Sequence, residues 1–427
     1  MGEDPLITAV RSGDEDAVRV LLEDGADPNA INERGTFALC LAISAFHSTI
    51  AGYLVGGGAD PDRRLPDGTT PLLRAVDSGS IGLVFSVLSD AVLTSEATRV
   101  ELLARARQWH ETGPIAMLRQ RTGASEEVER VRIRDRERFT DYHEFRSGGM
   151  TVRDGHTGIL TLLEKHFGLH LAFDELAARA CALEYPDWEH AVWSEIVRTL
   201  GRRQDDETWE AAAALRGHPD PLYRRFGAEV LVCLEIEADL TNVPSPFEQR
   251  TLELLLDWAK EEEHPDVLAE ILAGLSHYED PRIEPLGLSY LGHAAPQVRG
   301  AVPSTLRIVD SERSGRQTFT SEGLNALLAL ARDAHTSVRQ GAGYRLAHSL
   351  NPEPAIGDTL AGLFGDADQQ TRIWAVYGLA ERDDPRCVDG ADRVGPVDEY
   401  DSWSWILGAP LRYEQRQRER EAPGTTE

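Results

Sequence analysis

The sequence has little lysine, little cysteine and no unbroken apolar run of membrane length. Among 427 residues only Lys165 and Lys260 are lysines, so the basic side chains are almost all arginine. Basic residues are also scarce beside acids, 44 against 72, which leaves a formal net charge of −28. A polyanion of this size is repelled by phosphate backbones and anionic headgroups. Nucleic-acid and membrane-surface roles are therefore not expected unless a local basic patch overrides the total. The deficit is uneven: residues 1–100 carry 7 basic and 15 acidic side chains, residues 101–200 carry 14 and 17, and residues 201–427 carry 23 and 40. The C-terminal half is the acidic body. Cys40, Cys181, Cys233 and Cys387 are too few for a disulfide scaffold and too far apart for a zinc knuckle or redox dithiol. They read as reduced thiols of a cytoplasmic protein. The N-terminus, Met1-Gly2-Glu3-Asp4-Pro5, is acidic where a secretory signal would be basic. A hydrophobic fraction of 41% and a mean hydropathy of −0.35 exclude both a membrane protein and a disordered chain.

A 33-residue period organises the N-terminal part. Leu6, Leu39 and Leu72 are in register, as are Ala9, Ala42 and Ala75, and Gly25-Ala26-Asp27-Pro28 recurs as Gly58-Ala59-Asp60-Pro61. Such self-similarity marks stacked units that bury their apolar faces against one another. With Thr70-Pro71-Leu72 these residues resemble ankyrin repeats over about residues 3–90. The signature histidine is absent from all three units, where Ile7, Cys40 and Leu73 stand. The resemblance implies two antiparallel helices per unit, with Gly25 and Gly58 at the positive φ that ends the second helix. Gly13 and Gly79 fit the break between helices, and Phe46 stands there in the second unit. The run Gly35–Ala59, which holds no Asp, Glu, Lys or Arg, is then the middle repeat, covered on both sides, and not a membrane span. Residues 101–119 keep helical periodicity without the signature, as a degenerate cap does, so the first domain spans 1–120.

A connector, 121–156, breaks the pattern. Arg130, Arg132, Arg134, Arg136 and Arg138 alternate with Val131, Ile133, Asp135, Glu137 and Phe139. On a strand this sets five arginines on one face, a candidate anion patch. The acids Glu126, Glu127, Glu129, Asp135 and Glu137 compete with that reading by neutralising it. The sequence leaves open whether the segment is strand, helix or loop, and Gly148-Gly149 reads as a turn.

From 157 to 385 the chain reads as helix pairs separated by Pro/Asp turns, at His218-Pro219-Asp220, His264-Pro265-Asp266, Ala295-Pro296-Gln297, His335-Thr336-Ser337 and Asp366-Ala367-Asp368. Arginines recur near the start of the second helix: Arg224, Arg299, Arg339 and Arg372, with Leu268 in the divergent unit. Val298-Arg299, Val338-Arg339-Gln340-Gly341-Ala342 and Thr371-Arg372-Ile373-Trp374-Ala375 resemble HEAT repeats. The recurring arginine reads as a structural tie from one unit's turn to the next. Asp310–Thr320 reads as a polar surface loop. Residues 386–427 form a cap, with Trp403 and Trp405, and a polar tail from 413.

No phosphate loop, nucleophile elbow or HExxH motif is present. His166 and His170 have i, i+4 spacing, but Gly168 between them opposes a shared helix face. His110-Glu111 and His143-Glu144 are the only hints of a His-Glu metal hydroxylase. Those enzymes, HEAT-like DNA glycosylases and HEAT-like bilin lyases are the alternatives. The sequence therefore predicts an all-α protein of two stacked helical-repeat solenoids, ankyrin-like then HEAT-like. Its expected function is non-catalytic protein–protein binding without cofactor or metal, to a partner with a basic surface. Arg224, Arg225, Arg299, Arg339, Arg372 and Trp374 are the candidate partner-binding residues.

Overall fold

The computed structural model describes residues 4–88, 95–135, 137–184, 186, 189–241, 243–311, 317–397 and 408–421. Helices dominate, and the chain divides into two compact units, Met1–Ala211 and Ala212–Glu427. The boundaries expected at 120 and 156 both fall inside the first unit.

In the first unit the 33-residue period becomes three helix pairs: α1 (Pro5–Ser12) with α2 (Glu15–Glu23), α3 (Ala38–Ser44) with α4 (Ser48–Gly56), and α5 (Pro71–Ser78) with α6 (Ile81–Val87). First helices pack on first helices and second on second, α1–α3–α5 and α2–α4–α6. The in-register Leu6, Leu39 and Leu72 are all buried, as are Ala9, Ala42 and Ala75. The uncharged middle pair lies between its two neighbours, so nothing there needs to be polar. Caps fix the starts: Asp14, Thr70 and Ser80 each accept a backbone N–H of the first turn. Gly25 and Gly58 end the second helices at φ 89° and 104°. Between paired helices Gly13 and Gly79 both take φ 72°, and Phe46 takes φ 60° at the same place. The second repeat thus keeps the left-handed turn despite losing its glycine.

Helices α7 (Glu96–Thr112) and α8 (Pro114–Thr122) follow, broken at Gly113. The connector is then an antiparallel sheet of β1 (Glu129–Asp135), β2 (Thr140–Ser147) and β3 (Met150–Arg153), in that spatial order. Gly148 and Gly149, at φ 55° and 77°, make the two-residue turn whose twist suits a hairpin. Trp109, Met117, Leu118, Phe145 and Val152 form one apolar cluster that joins the sheet to α7 and α8. Helices α9 (His156–His166), α10 (Phe173–Cys181) and α11 (Ala191–Gly201) close the unit.

Past α12 (Asp206–Ala214), the second unit runs α13 (Pro221–Thr241), α14 (Glu248–Glu261), α15 (Pro265–Gly274), α16 (Ile283–Leu288) and α17 (Pro296–Ala301). It continues with α18 (Ser321–Leu330), α19 (Thr336–Ala347), α20 (Pro354–Gly362), α21 (Gln369–Glu381), α22 (Arg386–Val394) and α23 (Ala409–Glu421). The second helices of successive pairs, α13, α15, α17, α19 and α21, each pack on the next. Two segments differ from the sequence reading. Ile308–Ser311 (β4) and Gln317–Phe319 (β5) pair as an antiparallel ribbon that overlaps the stretch Asp310–Thr320 read as a loop. The Asn351 side chain satisfies both main-chain groups of Phe319, accepting its N–H at 2.8 Å and donating to its C=O at 3.1 Å. The polar stretch from 413 is helical to Glu421, where Arg416 and Arg420 pair with Asp383. Trp403 and Trp405 lie outside the described residues.

Candidate functional site

The first candidate surface is the row of loops between ankyrin units. Asn32 is buried, and its Oδ1 accepts the N–H groups of Arg34 and Thr36, both at 2.9 Å. Asp67 braces the next loop, accepting the Thr69 N–H at 3.0 Å and Arg74 Nη2 at 2.8 Å. The hydrogen bonds from Thr69, aided by Arg74, hold the Asp67 carboxyl at about 2, so it is charged. Around these braces Ile31, Glu33, Arg34, Arg63, Arg64 and Pro66 are exposed. The tips are rigid inside and chemically mixed outside, as a preformed binding edge must be.

The turns within repeats two and three are covered by the inserted sheet. Glu137 accepts from Ser48 Oγ, from Thr49 N at 2.8 Å and from Thr49 Oγ1 at 2.9 Å. A carboxylate here supplies the acceptor that His47, the N-cap of α4, does not. Tyr142 is buried, accepts the Ile81 N–H at 3.2 Å, and has its phenol pushed up to about 12, mainly by burial. Arg153 and Asp135 pair at 3.0 Å, both buried, with the guanidinium 4.2 Å from the Phe46 ring centroid. A Cβ on Gly79 would stand 1.9 Å from the Arg153 carbonyl oxygen. Ser48, Thr49, Glu137, Arg138, Thr140, Tyr142, Ser194 and Arg198 are among the residues lining a polar cleft of about 280 Å³.

The connector arginines take internal partners. Arg130 pairs with Glu184 at 2.9 Å, and Arg132 and Arg134 converge on Asp141 at 2.6 and 3.0 Å. Arg134 also reaches Glu189 at 3.0 Å. The neutralising acids are thus Asp141, Glu184 and Glu189, brought in by the fold, and not the near-sequence acids alone. Arg138 stands over the Phe85 ring at 4.5 Å. Arg136 lies outside the described residues.

In the second unit the recurring arginines form a ladder. Nη1 of Arg224 donates to the carbonyls of His218 and Pro219 in its own turn, while Nε and Nη2 grip Glu262 at 2.9 and 2.8 Å. Arg299 does the same with His293, Ala294 and Asp333, at 2.7 and 2.8 Å to the carboxylate. Arg339 repeats it with Asp333, Ala334 and Asp366. Each carboxylate also accepts the N–H two residues on, from His264, His335 or Asp368. Arg372 ends the ladder on the Val394 carbonyl at 3.0 Å. Each rung's acid sits six residues before the arginine position of its own unit. Where Leu268 replaces the arginine, His293 replaces the acid that it would have gripped, so both halves of that rung are lost together. Tyr290 Oη to the Ala259 carbonyl, at 2.6 Å, and Gln297 Nε2 to Asp266, at 3.0 Å, link the units there instead.

Arg225 pairs with the buried Glu229 at 2.8 Å. Trp374 is 3% exposed and lies edge-on to Tyr344 at 4.8 Å, and of this aromatic group Tyr344 is the exposed member at 43%. The histidine hints resolve differently. Helix α9 ends at His166 and Gly168 turns at φ 72°, so His166 and His170 share no helix face. His110 bonds Thr157, whereas His143 bonds Asp154. Among the described residues no helix is long and apolar enough to cross a membrane.

A family model for ankyrin repeats, in three copies, matches residues 6–96. The 2-5A-dependent ribonuclease of Mus musculus is 44% identical over 71 residues. That match spans 16% of this chain and only a tenth of the ribonuclease. The X-ray structure of Escherichia coli YibA is similar at 16% identity over 58% of this chain and 93% of that one, with a TM-score of 0.41. The segment 6–96 is a set of ankyrin repeats within a mostly helical chain.

Proposed function

We propose that the protein is a non-catalytic scaffold whose ankyrin stack binds a protein partner through the loop tips around Ile31–Gly35 and Arg63–Gly68. One observation carries this reading: three ankyrin repeats whose tips are exposed while their interiors are braced by Asn32 and Asp67. A braced edge loses little conformational entropy on binding. The net charge of −28 favours a partner with a basic surface and disfavours nucleic acid and membranes. The second unit is a HEAT-like spacer and second docking face. There Arg224, Arg225, Arg299, Arg339, Arg372 and Trp374 serve binding by fixing the helices that display the surface. Four cysteines present as thiols suit the cytoplasm.

Affinity capture from the native host, with wild type and an Ile31→Ala/Glu33→Lys variant run in parallel, tests the proposal. The expected result is a protein retained by wild type and depleted at least about tenfold with the variant, at unchanged thermal stability. Equal retention by both contradicts it.

A further inference from the structure

The inserted sheet brings together three side chains that sequence reading keeps apart. His143 lies on β2. Asp154 follows β3 and is locked opposite it, with the Asp154 N–H donating to the His143 carbonyl at 3.1 Å and the His143 N–H donating to Asp154 Oδ1 at 3.0 Å. The segment before α11 bridges to β2 at Asp141, where the Asp141 N–H reaches the Glu189 carbonyl at 2.7 Å, and this positions His190. The second oxygen of Asp154 then stands 3.1 Å from His143 Nδ1 and 3.1 Å from His190 Nε2. All three ligand atoms lie within 4.8 Å of one another, and it is the one group of this kind among the described residues. The side chains are 12%, 17% and 6% exposed, so the site is sheltered and still reachable from solvent.

Its chemistry suits a divalent transition metal. Two imidazole nitrogens and one carboxylate oxygen are the ligand types of a three-residue zinc site, with bonds of about 2.0–2.1 Å. Ligand atoms bound at that length in a tetrahedron stand about 3.3 Å apart, close to the two 3.1 Å edges already present. The remaining edge, between the ring nitrogens, closes as the rings turn toward the ion. The local charge is favourable. Arg132 and Arg134, the nearby cations, are engaged by Asp141 and Glu189. The backbone pins all three ligands before any ion arrives, so little ordering is required.

We propose that His143, Asp154 and His190 bind one zinc-class divalent ion, which clamps the inserted sheet to the start of α11 and keeps at least one coordination position open. Without metal the three are joined by hydrogen bonds. His190 Nδ1 accepts the Val192 N–H at 3.3 Å, so Nε2 carries the ring proton toward Asp154. In the metal form Nε2 takes the ion, the proton resides on Nδ1, and the 3.3 Å contact is released. The scaffold reading does not depend on this site.

The test uses the full-length protein, stripped with chelator and titrated with Zn2+ and, for its visible spectrum, Co2+. The expected result is saturable binding of one ion per chain at micromolar or lower concentration, a raised melting temperature, and a Co2+ spectrum of low coordination number. Asp154→Asn and His143→Gln, which keep side-chain size, weaken binding at least about tenfold, as loss of one ligand does. Should a variant unfold, imidazole 15N NMR of the wild type decides. Zinc must then shift the signals of two of the thirteen histidines selectively. Absence of one-to-one binding, unchanged affinity in a folded Asp154→Asn variant, or zinc shifts spread over many histidines overturns the proposal.

Discussion

The two units stack helix pairs by different means. In the ankyrin part the pairs are joined through apolar register, backbone turns and local caps, with small residues such as Ala9, Ala42 and Ala75 at the contacts. In the second unit a file of charged side chains is added, each arginine spanning from its own turn to the next unit's acid. The period follows from this difference. Backbone joints fix the spacing at 33 residues, whereas a long flexible arginine tolerates separations of 38, 34 and 27 residues to its acid. The family model for ankyrin repeats matches within the first unit, at 6–96.

In the first unit the largest expected effect comes from its buried charge pair. Arg153→Ala leaves Asp135 buried without its guanidinium and removes the contact with Phe46. Unfolding monitored in denaturant is expected to show a loss of about 3–5 kcal/mol. Acid separates the units next. Burial holds the His156 imidazole at about 4, stacked 4.1 Å from Trp109. A histidine with a depressed folded value stabilises the fold above its ordinary value of about 6.5, and that stability is lost as pH falls toward 4. The loss amounts to about 3 kcal/mol, and His156→Phe flattens it in a pH series of melting curves. His277 in the second unit, also lowered by burial, adds a loss of the same sign there. The ladder acids respond lower on the scale. Arg299 and Arg339 hold Asp333 and Asp366 below their usual range, so their contribution is complete above the ordinary value of about 3.9 and fades only below it.

In the second unit two rungs, one ending on an acid and one on a carbonyl, separate the contributions. Arg339→Ala strands Asp366, whose side chain is 3% exposed, and is expected to cost about 3 kcal/mol. Arg372→Ala, which releases only carbonyl acceptors, is expected to cost about 1 kcal/mol. Equal losses from the two would show that the acid adds nothing to the rung. Smallest of all, the tip variants Ile31→Ala and Glu33→Lys are expected to change stability by less than about 0.5 kcal/mol, measured by the same unfolding curves.

Much of this architecture is legible in the residues, and the reasons differ by element. The period of Leu6, Leu39 and Leu72 and the glycines at 25 and 58 are local signals, and they place helices and turns directly. The arginines at 224, 299, 339 and 372 are legible as a series. Their acids, Glu262, Asp333 and Asp366, were within reach, because each precedes its unit's arginine position by six residues. The partner of Phe46 was not, since its ring packs under Arg153, more than a hundred residues away. The same holds for the arginines of β1 and for His190 beside Asp154: their partners come from separate strands and a distant segment, and pairing across a sheet leaves no periodic trace.

Whether the ankyrin tips read a basic partner is decided by association kinetics with the captured partner, followed for the full-length chain from about 0.05 to 0.3 M salt, where the screening length shortens about 2.4-fold. The association rate is expected to fall by about tenfold or more across that range, with dissociation little changed, and to fall further on Glu33→Lys. A rate indifferent to salt and to Glu33→Lys would contradict an acidic scaffold that reads a basic partner through its ankyrin tips.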